Sequence, residues 1–314
     1  MVPDFLDKTD LSIIQLLLTD SRISQKKIAS RLNIPLSTIQ KRLQKLRENA
    51  IERFTVLVDP EKLGLATYLM RLTTDTMNIK PIIDRIKGED SVSEVYYSED
   101  GQIIVKAICS GESFINLYEN VIGSFGDKIR KSLLLTRSKP EKHTPVIGSS
   151  EIASLASGAD KKRKADLAIL NLLADDSRLT LSSMAGRLDV PLSTLQKKIK
   201  RLTEELIDQY TVVVDPKSVG LETYMAHITM NDDLGMGNLI EMLAQEKCVS
   251  EIFHRDDGEI FMKSFCTPGD FIDFYSRLRT GHGEDIKDVV LLSKPVPVKH
   301  TSVIHPDLLD QGND

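Results

Sequence analysis

Residues 10–73 align without a gap with residues 166–229, and about 30 of the 64 positions are identical. Self-similarity of this extent requires two copies of one folding unit, since each copy carries the same apolar pattern and must bury it in the same way. With one inserted residue the match continues: VSEVYYSEDGQI from Val92 against VSEIFHRDDGEI from Val249, then KAIC against KSFC, and KHTPVI against KHTSVI. Outside the repeat lies the stretch GSSEIASLASGADKKRK from Gly148, which is small, polar and finally basic, the composition of a linker. The 314 residues leave room for two ordinary domains or four small ones.

Each copy has two parts. In the first, LSIIQLLL, KKIASRL and STIQKRLQKLREN carry helical periodicity, with polar breaks at Asp20-Ser21-Arg22 and Asn33-Ile34-Pro35. The β-branched run FTVLVDP follows, so three short helices and a strand describe a winged helix-turn-helix. In the second part TYLMRLTT reads as a strand and IKPIIDRIKG as a helix ending at a glycine cap. VSEVYY and QIIVKAIC are strands joined by an SEDG turn, FINLYENVIG is a helix, and IRKSLLLTR a closing strand. The order β-α-β-β-α-β is ferredoxin-like, with helices on one sheet face only; pairing with a second sheet would cover the other. The chain is therefore expected to be α+β: helix-turn-helix domains at 1–60 and 165–216, ferredoxin-like domains at 61–147 and 217–305, and a linker at 148–164.

The third helix of each copy carries the most chemistry. With Ile39 at the centre of its inward face, Leu36, Leu43, Leu46 and Ala50 fall on the same side at 100° per residue. Ser37, Lys41, Gln44 and Glu48 then point outward, with Thr38 and Lys45 on one shoulder and Gln40 on the other; Ser37 is also expected to cap the helix. The second copy places Ser193, Thr194, Gln196, Lys197, Lys200 and Arg201 correspondingly. Amide, hydroxyl and basic groups hydrogen-bond base edges and phosphates in a major groove, although a basic amphipathic helix is also an ordinary solvated face. Between the copies the inward positions drift (Ile39 to Leu195, Leu43 to Ile199), whereas Ser, Thr, Gln and Lys at 37, 38, 40 and 41 stay fixed. The net charge is -5, yet residues 22–53 hold nine Lys or Arg against two Asp or Glu. That window is about +7 and its counterpart, 178–209, about +2, so the first copy is expected to supply more of any nonspecific affinity.

The phrase LDKTDLSIIQLLLTDSRISQKKIASRLNIPLSTIQKRLQKLRENAIERFTVLVDPEKLGL resembles the DNA-binding domain of Lrp/AsnC, or feast/famine, regulators. The matching marks are Leu6-Asp7 with Asp10, Asp20-Ser21-Arg22, Ile28-Ala29, Leu36-Ser37-Thr38, Arg42-Leu43 with Leu46, and Asp59-Pro60 with Gly64. The second copy keeps Asp176-Ser177-Arg178, Leu192-Ser193-Thr194 and Asp215-Pro216 with Gly220. The resemblance implies double-stranded DNA as the partner, two half-sites read across a twofold axis, no enzymatic activity, a small-metabolite effector and homo-oligomers built through the ferredoxin-like sheets. Three departures stand out. Two units share one chain; Ala50 and Leu206 replace a usual glycine, so helix three should end without a left-handed cap; and SEDGQI and RDDGEI replace the family's effector signature, which leaves the effector unnamed. Two alternatives share the fold: a siroheme decarboxylase-like tetrapyrrole enzyme, with a sheet-lined pocket of histidine and arginine, and a nonspecific chromatin-like DNA organiser.

Other repeated groups have two readings each. Lys142-His143-Thr144 and Lys299-His300-Thr301 are strand-end packing groups or anion contacts. Lys106 with Cys109 and Lys263 with Cys266 pair a base with a thiol, which would either lower the thiol pKa or leave the cysteine a small buried apolar group. Three cysteines without a CxxC pair make no disulfide framework, and the six histidines show no zinc spacing, so no metal or cofactor is expected. No apolar run approaches a membrane span and the N-terminus lacks a secretory pattern, so the expected location is the cytoplasm.

Overall fold

A computed structural model describes residues 6–135, 139–142, 144–147, 152, 155–156, 159–232, 235–293, 295–301 and 303–309. Two compact units emerge, one built mainly from Asp4–Leu65 and Pro145–Asp215, the other from Ala66–Thr144 and Pro216–Leu308. Each unit therefore takes one part from each copy.

In the first unit the helices α1 (Lys8–Thr19), α2 (Gln25–Leu32) and α3 (Leu36–Asn49) lead into strand β1 (Ile51–Val58), and α6 (Lys161–Asp175), α7 (Leu181–Leu188) and α8 (Leu192–Glu205) into β7 (Ile207–Val214). Helix α6 starts inside the stretch expected to be linker, because Asp160 caps it by accepting from the Arg163 N–H at 2.7 Å. The turns after α2 and α7 are made by Asn33 and Asp189 at φ 53° and 50°, a left-handed conformation that Asn and Asp tolerate best among side-chain-bearing residues. Pro35, not Ser37, occupies the cap position of α3 and provides no side-chain cap; the helix begins at Leu36, one residue before the expected start, so Ser37 lies within its first turn. At the other end Ala50 (φ -139°) and Leu206 (φ -125°) close α3 and α8 without a left-handed residue, as expected.

Strands β1 and β7 pair with each other, antiparallel, and Thr55 meets its own counterpart Thr211 at the centre of the ladder. Contacts off this pseudo-twofold axis occur in pairs, and those on it join a residue to its own counterpart. Ser21 and Ser177 join their hydroxyls at 2.7 Å. Thr55 donates to the Ala174 carbonyl at 2.9 Å and Thr211 to the Leu18 carbonyl at 2.8 Å, so each strand is fastened to the other copy's first helix. Arg22 lies over Tyr210 and Arg178 over Phe54. A two-stranded ribbon is marginal alone and is held here by packing helices on both sides.

A carboxylate seats each third helix, fully buried in the first copy and partly exposed in the second. Asp10 is fully buried and accepts from Arg42 at 2.8 Å and Lys45 at 3.0 Å, while sharing a capping box with Asp7. In the second copy Asp166 receives Lys198 at 2.9 Å and also Arg201. The arginine and the lysine have exchanged places between the copies, and the charge balance at the carboxylate is unchanged.

The second unit holds two five-stranded antiparallel sheets. The first copy contributes β2 (Ala66–Thr74), β3 (Val92–Tyr97), β4 (Gln102–Cys109) and β5 (Ile129–Leu135), with α4 (Ile79–Ile86) and α5 (Gly111–Phe125); the second contributes β8 (Glu222–Met230), β9 (Val249–His254), β10 (Glu259–Cys266) and β11 (Ile286–Ser293), with α9 (Met236–Gln245) and α10 (Pro268–His282). A fifth strand, unexpected from sequence, is exchanged: β6 (Lys139–Lys142) pairs with β9 of the other copy, and β12 (Val296–Lys299) with β3. The SEDG turn forms as a hairpin, and Gly101 (φ 92°) is required there because a Cβ would meet the Thr74 carbonyl oxygen at 2.0 Å. Gly88, in contrast, is no left-handed cap; α4 ends at Lys87 in right-handed geometry.

Helices cover one face of each sheet over apolar cores centred on Ile82, Ile86 and Phe114 in one copy and Leu239, Leu243 and Phe274 in the other. The opposite faces pack on each other through Leu69, Tyr96, Ile104 and Leu135 against Met225, Phe253, Phe261 and Leu292. Sheet faces expected to build oligomers are thus used within the chain. At one end of this seam Lys106 and Lys263 meet Glu94 and Glu251 in a closed quartet of N–O distances between 2.7 and 3.1 Å, every side chain at most 3% exposed. Thr144 and Thr301 donate to Glu251 and Glu94. Burial alone would raise the two carboxyls, but the lysines hold both Glu94 and Glu251 well below the usual range.

Two outcomes follow. Asp10→Asn should lower the unfolding free energy by about 1–3 kcal/mol in urea titrations, since two cations lose a buried acceptor. Lys263→Met should cost about 3–5 kcal/mol by leaving an uncompensated buried carboxylate, whereas apolar replacement of all four groups should restore stability. Because both glutamates titrate below their unfolded value of 4.5 when folded, their contribution is present above that pH and lost as pH falls below it. Thermal scans from pH 7 to pH 3 should therefore fall more steeply for the native chain than for the fourfold variant.

Candidate nucleic-acid interface

Helix α3 buries Ile39, Leu43 and Leu46 and turns Ser37, Gln40, Lys41 and Gln44 outward, all exposed, with Thr38 half-buried on the shoulder. Helix α8 buries Leu195, Ile199 and Leu202 and exposes Ser193, Thr194, Gln196, Lys197 and Lys200. Gln44 donates to Glu48 at 2.5 Å along its own helix. Lys200 lies 3.9 Å from Glu204 and stays 79% exposed, so its charge is free for another partner.

Lys45 and Arg201 differ from the sequence expectation. They sit on the shoulder but turn inward to Asp10 and Asp166, together with Arg42 and Lys198. Helical spacing explains this: positions 42 and 45 stack on one edge of α3, where a carboxylate without water draws both cations. Their first task is to lock the helix, and Arg42 is raised above its usual pKa by its hydrogen bond to Asp10. The signal was in the sequence as an acid at 10 and 166 and a base pair at 42/45 and 198/201, but a linear reading assigns charges to solvent by default.

The charge difference between the copies is spread over several elements, and two of its five units lie on another helix. Helix α2 exposes Lys26, Lys27 and Arg31; the counterpart positions on α7 are Ser182, Ser183 and Arg187. Arg22 and Arg47 in the same window lie over aromatic rings, Tyr210 and Phe54. The free positive charge of the first copy is therefore carried by α2 and Lys41.

The remaining repeated groups resolve as follows. Cys109 and Cys266 are buried and lie on the sheet face opposite Lys106 and Lys263, as three-residue spacing on a strand demands. Contact with Cys248 and burial push the Cys266 thiol up, not down, so the lysine does not activate it. Thr144 and Thr301 serve the buried quartet and Lys299 donates to the Val92 carbonyl, which is the packing role; His143 lies outside the described residues. Arg71 and His227, counterparts on β2 and β8, are both buried between the sheets, a placement that no local pattern marks. Among the described residues no cluster could hold a metal ion, and no helix is long and apolar enough to cross a membrane.

Comparison with known proteins places these features. A family profile for the winged helix-turn-helix DNA-binding domain matches twice, at residues 6–49 and 162–205. The HTH-type transcriptional regulator FL11 of Pyrococcus horikoshii is 30% identical over 124 residues, 38% of this chain and 81% of that protein. LrpA of the same organism is 26% identical over 140 residues, 43% of this chain and 99% of LrpA. Over the whole chain, the fold is similar to that of the siroheme decarboxylase NirDL, with TM-score 0.61, 15% identity and coverage of 94% of this chain and 93% of that one. A regulator-length relative thus accounts for about two-fifths of the sequence, as a duplicated unit requires, and the chain belongs to the Lrp/AsnC family of helix-turn-helix transcriptional regulators.

Proposed function

We propose that the chain is a sequence-specific DNA-binding transcriptional regulator that reads two half-sites with α3 and α8 from one polypeptide. The observation that carries this reading is the pair of outward faces, Ser37, Thr38, Gln40, Lys41 and Gln44 on one helix and Ser193, Thr194, Gln196, Lys197 and Lys200 on the other, held by one β1–β7 frame. Paired helix-turn-helix units engage half-sites about one helical turn, ~34 Å, apart. In a dimer of identical chains the half-sites are read alike; here the side chains at 44 and 200 differ, so the two half-sites can differ. The exposed α2 bases supply phosphate contacts that carry no sequence information. A small metabolite acting on the ferredoxin-like unit belongs to the same proposal.

The test is a titration on a selected operator at several salt concentrations. Replacing Lys26 and Lys27 by Ala should weaken all sequences alike and reduce the salt slope by about 1.8, at roughly 0.9 per phosphate contact. Gln40→Ala and Gln196→Ala should each relax preference in one half-site only. Salt slopes unchanged by the lysine variant, or both glutamine variants affecting both half-sites equally, would overturn the reading. Binding of comparable strength to any duplex would instead favour a chromatin-like organiser.

A second reading has its own observation: the fold shared with NirDL, together with an arginine and a histidine, Arg71 and His227, buried between the sheets. A tetrapyrrole enzyme would bind siroheme with a strong visible absorbance change, lost in Arg71→Ala, and would not bind DNA. The regulator reading expects no such change.

A further inference from the structure

The seam between the sheets is symmetric at the lysine–glutamate quartet and asymmetric a few residues away. On β2, Arg71 pairs in register with Ile104 and Leu133; on β8, His227 pairs with Phe261 and Val290. All four neighbours belong to the seam, so Arg71 and His227 face it too, at 6% and 4% exposure. Next to them the copies have diverged in charge. Gln102 in the first copy is Glu259 in the second, and Lys131, on the rim two residues before Leu133, is Asp288 two residues before Val290. Glu259 lies 2.5 Å from His227. Arg71 Nη1 finds no hydrogen-bond partner among the described residues; burial holds its pKa below the usual value, and Glu259 and Asp288, both from the other copy, oppose that shift.

We infer that this divergence is a pairing code: the first ferredoxin-like half accepts the second half of its own chain and rejects a like half from another copy. At these three positions the first half presents Arg, Gln and Lys and the second His, Glu and Asp. Unlike pairing sets two cations against two carboxylates. Two first halves would bring two Arg and two Lys together with no carboxylate at these sites; two second halves would bring two Glu and two Asp with no permanent cation. Like charges so placed disfavour the wrong pair without altering the apolar contacts, which both pairings could make. The quartet cannot provide this discrimination, since each half carries one Lys and one Glu and would rebuild it in any combination. Covalent connection through residues 145–215 adds proximity to this discrimination.

The two exposed rim positions, Lys131 and Asp288, allow a test that does not threaten the core. In the full-length chain, Lys131→Asp and Asp288→Lys should each lower the thermal midpoint by about 2–4 °C at low salt, and less at 0.5 M salt. The double variant Lys131→Asp/Asp288→Lys should return to within about 1 °C of the native chain. At the buried level, Arg71→His/Gln102→Glu/Lys131→Asp should destabilise and shift the mass in light scattering toward oligomers, as should His227→Arg/Glu259→Gln/Asp288→Lys. The six substitutions together, which exchange the two codes, should restore a native-like midpoint and mass. Neutral single rim variants, or a double variant whose loss is the sum of the singles, would overturn the inference.

Discussion

A β-strand with an unpaired edge and a sheet with an uncovered apolar face cannot persist in water, and each copy of this repeat ends in both. Strand β1 has no partner in its own copy and finds β7; the faces carrying Leu69 and Ile104 have no cover in their own copy and find Met225 and Phe261. The mutual incompleteness of the copies is the constraint from which the architecture follows. It sorts the chain into one unit of two readers and one unit of two sheets, neither of which is made from consecutive residues. It also explains why a small hydroxyl residue, Ser21, meets its own counterpart Ser177 at the pseudo-twofold axis, since a group that pairs with its own kind must both donate and accept.

Buried charge recurs in both units with different consequences. Asp10 and Asp166 sit under the reading helices, each with two cations that remain partly exposed, so the helices are positioned by charges reachable from solvent. The quartet of Lys106, Lys263, Glu94 and Glu251 is withdrawn from water altogether. Such groups add little net stability over an apolar core, yet they penalise misregister severely, because any slip strands a charge. Copies of similar sequence face a special risk of pairing in the wrong register, and a closed quartet on the axis is a fitting guard.

Much of the site was legible because it depends on local periodicity. The 3.6-residue pattern of α3 and α8 assigned Ser37, Gln40, Lys41 and their counterparts outward, and Ile39, Leu43 and Leu46 inward, without knowledge of neighbours. The ion pairs of Lys45 and Arg201 were not legible for the same reason: their partners lie 35 residues away, and nothing local distinguishes a base bound for water alone from one that also meets a carboxylate. Ser37 lost its expected cap role because Pro35 already fixes the entry to the helix. The exchanged strands β6 and β12 escaped notice since KPEK and VPVK are short and interrupted by proline, and only a neighbouring edge makes strands of them.

By itself the sequence determined that one unit is written twice, where the helices and the four main strands of each sheet lie, and which face of each reading helix is polar, because these properties depend on residues within a few positions of one another. Tertiary structure decided that the copies interlock within the chain, that Glu94 and Lys106 answer Glu251 and Lys263, and that Arg71 and His227 are buried in one seam. Those outcomes depend on the register of strands more than a hundred residues apart, and register is chosen by the simultaneous burial of apolar faces and the pairing of opposite charges, neither of which is a local quantity.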